Sequence, residues 1–89
     1  QLEPQRFLSA RLSYSEQGYL LVTTSNNSPV SMDNIQLKLT AAGQGQMLRL
    51  PQVLAAGRQL TLSTGIKPQV NSEGRVAYQV QVVAADPLY

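Results

Sequence analysis

Short runs of alternating apolar and polar residues recur along this chain. They are Leu8, Ala10, Leu12 and Tyr14; Ile35, Leu37 and Leu39; Leu60, Leu62 and Thr64; and Val76, Tyr78, Val80 and Val82. A period of two sends successive side chains to opposite faces of a β-strand, so each run predicts a strand with one buried face. No segment has a convincing helical period. The nearest, 53–60, is short and is broken by Gly57.

Turn chemistry separates the runs. Residues 1–6, polar and including Pro4, read as a linker or frayed end. The first strand is expected at 7–14, and Ser15-Glu16-Gln17-Gly18 turns the chain into 19–25 as the second arm of a hairpin. Asn26-Asn27-Ser28-Pro29 is a dense turn signal whose Asn and Ser side chains can bond neighbouring backbone groups. Val30 and Met32 precede Asp33-Asn34, a turn or bulge, and a strand follows at 35–40. Residues 41–46 form a flexible connection and 47–50 a short strand closed by Pro51. Gly57 supplies a left-handed turn conformation before a strand at 58–64. Residues 65–74 read as a longer loop, and the last strand occupies 75–85, ended by Pro87, with 86–89 as a tail.

Turn signals about 8–12 residues apart predict an all-β fold. The expected architecture is an immunoglobulin-like β-sandwich of six to seven antiparallel strands, in a single domain at 7–85. The predicted inward set is Leu8, Ala10, Leu12, Leu21, Ile35, Leu37, Leu39, Leu60, Leu62, Val76, Tyr78, Val80 and Val82. Tyr14 is expected to join Tyr78 in the core, leaving Tyr19 and Tyr89 outside.

Composition narrows the function more than it narrows the fold. At 43% apolar over 89 residues the chain can bury one modest core, with no Cys to cross-link it. The absence of His and Cys removes the usual neutral-pH acid–base group, thiol chemistry and Cys/His zinc sites. The carboxylates Glu3, Glu16, Asp33, Glu73 and Asp86 all fall in expected turns or tails, with no spacing that converges two of them. Gly43-Gln44-Gly45 lacks the strand–helix context of a phosphate cradle and reads as a hairpin loop. Asn26-Asn27-Ser28 matches the glycosylation acceptor pattern, with the structural role of those residues preferred. The predicted domain is therefore not an enzyme and holds no cofactor or metal.

The seven basic residues are scattered, which argues against nucleic acid as a partner. The longest apolar run, 19–22, is too short to cross a bilayer, and no signal-peptide pattern is present. A start at Gln1 without Met reads as a module excised from a longer chain.

One stretch resembles a known family. A strand ends in Ser25-Asn26-Asn27-Ser28-Pro29, and another begins after Asp33-Asn34 as Ile35-Gln36-Leu37-Lys38-Leu39. Leu50-Pro51 and Leu54-Ala55-Ala56-Gly57-Arg58 then precede a further strand. This arrangement, over 20–62, is similar to bacterial FxLYD-type extracytoplasmic domains and, more faintly, to the ear domains of clathrin adaptors. Leu39-Thr40-Ala41 stands where the FxLYD family carries its aromatic motif. The resemblance implies an immunoglobulin-like fold, a periplasmic or cell-envelope location with the cytoplasm left open, and a binding or spacing role.

The expected function is thus a non-catalytic interaction or spacer module of a larger bacterial envelope protein, binding a protein partner through a sheet edge or face. The alternative is an accessory domain of an enzyme, such as an envelope peptidase or a carbohydrate-active enzyme, that positions the catalytic domain or substrate. Edge strands carry unpaired backbone groups, and natural edges are guarded by charge, Pro or bulges. The 47–50 strand has Arg49 and Pro51. The 58–64 strand has only Gln59, Thr61 and Ser63 on its outer face, so Arg58, Gln59, Thr61 and Ser63 form the candidate edge for a partner strand or a second copy. At this stage an internal position for that strand stays open.

Overall fold

The turn after Tyr14 fixes the register of the first two strands, and that register decides which side chains are buried. The computed structural model describes residues 4–41, 44–68, 70–71, 74–75 and 77–89. Glu3, Gly43, Glu73 and Val76, named above, lie outside them. Gly18, at φ 90°, donates its N–H to Ser15 O, and Ser15 N donates to Tyr19 O. This closes a hairpin between β1 (Leu8–Tyr14) and β2 (Leu20–Asn26), with Leu8 opposite Asn26, Ala10 opposite Thr24 and Leu12 opposite Val22. Directly opposed residues share a face. The inward row of β1 therefore carries Leu20, Val22, Thr24 and Asn26 inward, and all four are buried. The expectation that Leu21 points inward is corrected, because the hairpin register places it with Ser13 on the other face.

The remaining strands are β3 (Ser31–Ala41), β4 (Gln44–Arg49), β5 (Gln59–Ser63), β6 (Val70–Asn71), β7 (Gly74–Arg75) and β8 (Tyr78–Leu88). Six of the eight form two antiparallel three-stranded sheets, in the orders β1-β2-β5 and β4-β3-β8, while β6 and β7 make a two-residue ladder. Pro4–Phe7 is a 3₁₀ turn packed against β8, where the sequence suggested a frayed end. The fold is all-β.

Two bulges explain where the simple alternation fails. Val30, just before β3, and Met32 on it face the core, yet so do the odd-numbered Ile35, Leu37 and Leu39. The change of phase occurs at Asp33-Asn34, where the register with β8 shifts and Asn34 takes φ 48°. One extra residue in a strand reverses the side-chain phase beyond it. A second shift leaves Val83 without a partner, since Leu37 opposes Val82 and Gln36 opposes Ala84. Past that point the inward residue of β8 is the odd-numbered Ala85, which is buried in the core.

Pro87 does not end β8. The strand continues to Leu88, opposite Ser31, so 86–88 pair within the sheet and are not a tail. Met32 exchanges backbone bonds with Leu54 on its other side, so its groups do not face β8. Met32 and Pro87 are therefore a non-hydrogen-bonded pair, and the missing N–H of proline removes no ladder bond.

One core joins both sheets. Leu8 and Val22 from the first sheet pack with Met32, Ile35, Leu37 and Ala85 from the second, and with Leu50 and Leu54 from the segment between β4 and β5. Ala10, Leu12, Leu60, Leu62, Val80 and Val82 are half-buried around it. Tyr14, expected in the core, is 41% exposed because it sits at the end of β1 beyond the packed region.

Candidate functional site

Both ends of β5 are tied to β2 by backbone bonds. At one end Asn26 N donates to Arg58 O, and Gly57 N donates to Asn26 O, with Gly57 at φ 73° completing the reversal. At the other end Thr64 N and the Thr64 hydroxyl both donate to Leu20 O. Asn26 itself is only 1% exposed. Its Nδ2 donates to Val30 O and Leu54 O, each at 2.9 Å, and its Oδ1 accepts from Ser28 N at 3.0 Å. The Ser28 hydroxyl lies 2.7 Å from both Asn26 Oδ1 and Val30 O. Asn26 thus joins the turn after β2, the Leu54 segment and the start of β5. The acceptor pattern at Asn26 is absorbed by this network: the folded domain leaves its amide no room for a glycan.

These end contacts also fix where each β5 backbone group points. Arg58 and Thr64 bond β2, and hydrogen-bonded positions alternate along an antiparallel strand. Leu60 and Leu62, opposite Thr24 and Val22, therefore turn their N–H and C=O toward β2. Gln59, Thr61 and Ser63 turn theirs to the opposite side, where β5 has no strand neighbour among the described residues.

The side chains follow the same division. Gln59, Thr61 and Ser63 are exposed on the outer face, and Leu60 and Leu62 are half-buried at the rim of the core. Thr61 Oγ1 lies 2.8 Å from Thr23 Oγ1, and the Ser25 hydroxyl donates to Gln59 Oε1 at 3.3 Å. Of the four candidate residues, Gln59, Thr61 and Ser63 stand together on this edge. Arg58 precedes the strand, held in the turn by its N–H to Ala55 O.

The other three edges of the two three-stranded sheets are covered or guarded. β1 packs toward β8, whose free side also meets the 3₁₀ turn and carries Pro87. At β4, Lys38 lies so close over Gly45 that a β-carbon there would sit 2.8 Å from Lys38 Cε. Arg49, also on β4, donates to Asn34 Oδ1. No charged residue lies between Arg58 and Lys67, so β5 is the edge with least protection.

Two carboxylates that the sequence left apart do meet. Asp33 and Asp86 are opposed across β3 and β8. Asn34 sits between them, donating its N–H to Asp33 Oδ1 at 2.8 Å and its amide to Asp86 Oδ2 at 2.9 Å. The antiparallel pairing of β3 with β8 creates this juxtaposition across 53 positions, and no sequence spacing signals it. Asp86 and Arg49 are exposed, so the cluster is a solvated surface network without a shielded site for chemistry. Among the described residues no three His, Cys, Asp or Glu side chains are grouped to hold a metal. Among the described residues no helix is long and apolar enough to cross a membrane.

Concavities among the described residues include two beside the ends of β8. A cleft of about 380 Å³ is lined by Leu39, Gln44, Gln46, Ile66 and Tyr78, and an apolar notch of about 200 Å³ by Phe7, Val30, Met32, Pro87 and Tyr89. Neither gathers a nucleophile, a base and an oxyanion donor. No family model, curated protein or solved structure matches the chain.

Proposed function

We propose that this chain is a non-catalytic interaction module of a larger bacterial envelope protein, binding a protein partner by strand addition at β5. The observation that carries the reading is the side of β5 that has no strand neighbour among the described residues, where the backbone groups of Gln59, Thr61 and Ser63 face outward without guarding charge or proline. An extended peptide supplies the complementary row of N–H and C=O groups.

The strand orders also support an immunoglobulin-like sandwich. Named by letter, β1-β2-β5 follows A-B-E, and β3 and β8 take the places of C and F. The position of strand G, beside β8, is filled by no strand among the described residues.

Thr61→Pro tests the reading. Thr61 N–H faces away from β2, so proline removes no ladder bond and is tolerated on an edge strand at a cost of about 1 kcal/mol. Thermal unfolding should remain cooperative with a midpoint only a few degrees lower, while strand addition is lost. An unfolded Thr61→Pro variant would place β5 inside a sheet and end the proposal.

A further inference from the structure

We infer that the occupant of the β5 edge is β5 of a second copy, paired antiparallel about a two-fold axis through Thr61. The inference rests on the reading of β5 as an open edge and adds the identity and register of its partner. The segment Gln59-Leu60-Thr61-Leu62-Ser63 is close to symmetric about Thr61: one Leu on each side, then one uncharged polar residue on each side. A closed two-fold interface requires such self-complementarity.

The free backbone groups select the register. Only Gln59, Thr61 and Ser63 present outward N–H and C=O groups, so odd positions must meet odd positions. Centring on Thr61 matches all of them: Thr61 with its own copy, and Gln59 with the partner's Ser63 in both directions. A slip of one residue faces bonded groups with free ones, and a slip of two leaves an end group unmatched.

The side chains agree with that register. Leu60 would lie opposite the partner's Leu62 on the inner face, in the non-hydrogen-bonded pairs where side chains approach most closely. Both Leu residues are half-buried at the core rim, and each would cover the other's exposed flank. On the outer face only hydroxyls and amides meet. No like charges oppose within the strand, since Arg58 lies outside it and would face the partner's Thr64. The product is a continuous six-stranded sheet, β1-β2-β5 followed by the same strands in reverse.

One five-residue strand pair is far below a standard protein interface, so the dimer should be weak. Sedimentation analysis should show monomer at low micromolar and dimer at high micromolar to millimolar concentration. Thr61→Lys, which sets two like charges on the axis, and Thr61→Pro should each weaken association by about tenfold or more while preserving the unfolding transition. The chain has no cysteine, so Thr61→Cys and Ser9→Cys each carry one thiol. A short thiol cross-linker should join two copies through position 61 and not through position 9, on the far strand of the sheet. A dimer that survives Thr61→Lys, or that cross-links equally at position 9, would assign association to another surface. A monomer at millimolar concentration with rapidly exchanging amides at 59, 61 and 63 would overturn self-pairing and leave the open edge standing. Protection of those amides in the dilute monomer would overturn both.

Discussion

Replacing Asn26 with Ala is expected to destabilise the domain by about 3 kcal/mol or more, a large share of the stability of so small a fold. The loss is one of pairing more than of volume. The side chain gives one proton to Val30 O and one to Leu54 O, and accepts from Ser28, at a position 1% exposed. Alanine leaves these carbonyls in a space water reaches poorly, and an orphaned buried polar group costs about 1–3 kcal/mol. Asn26→Asp should be worse than alanine at neutral pH, because one carboxylate oxygen would replace Nδ2 and face both carbonyls. It should recover partly in acid, where protonation restores one donor. Urea denaturation of the variants checks the ranking, and a midpoint for Asn26→Ala within error of the parent would show that the network is dispensable.

Leu37→Ala should cost about 3–4 kcal/mol, while Val80→Ala should cost only about 1 kcal/mol. The alternating pattern ranks these positions alike, and the structure does not. Leu37 is fully buried in the central strand of its sheet, opposed on one side by Leu48 and on the other by Val82. Removing its side chain opens a cavity that both neighbouring strands would have to move to close. Val80 is half-buried on the outer strand β8, where the vacated volume opens toward solvent. Equal shifts in the denaturation midpoint for the two variants would mean that the core is centred elsewhere.

The contrast between those two residues shows what could be read from sequence. Alternation revealed the strands and their turns because each is a local signal: Gly18 and Gly57 take positive φ where a reversal needs it. Packing depth was not legible, since it depends on which strand stands centrally in its sheet. Phase was lost in the last strand, where the added residue Val83 reverses the inward face and brings Ala85 into the core unannounced. At Asp33-Asn34 the bulge was read from the turn residues, and Ile35, Leu37 and Leu39 face inward as expected. Leu21 was misplaced for a different reason. The hairpin was recognised, but its register, which pairs Leu12 with Val22, was not imposed on the second strand.

Polar burial was partly visible. The Asn26-Ser28 turn chemistry could be read from residue types, whereas the bond to Leu54 spans 28 positions and arises only from the fold. For the candidate edge, the sequence supplied an uncharged outer row at Gln59, Thr61 and Ser63. The direction of their backbone groups follows from the bonds at Arg58 and Thr64, which only the folded chain displays.

Residue-resolved amide hydrogen exchange at low micromolar concentration tests the central claim most directly. If β5 is an open edge, the amides of Leu60, Leu62 and Thr64 should be protected about a hundredfold or more over those of Gln59, Thr61 and Ser63. That odd–even alternation within one strand is the signature of backbone pairing on a single side. Uniform protection across 59–64 in the dilute monomer would show that β5 is already paired on both sides, and the account of the edge would be wrong.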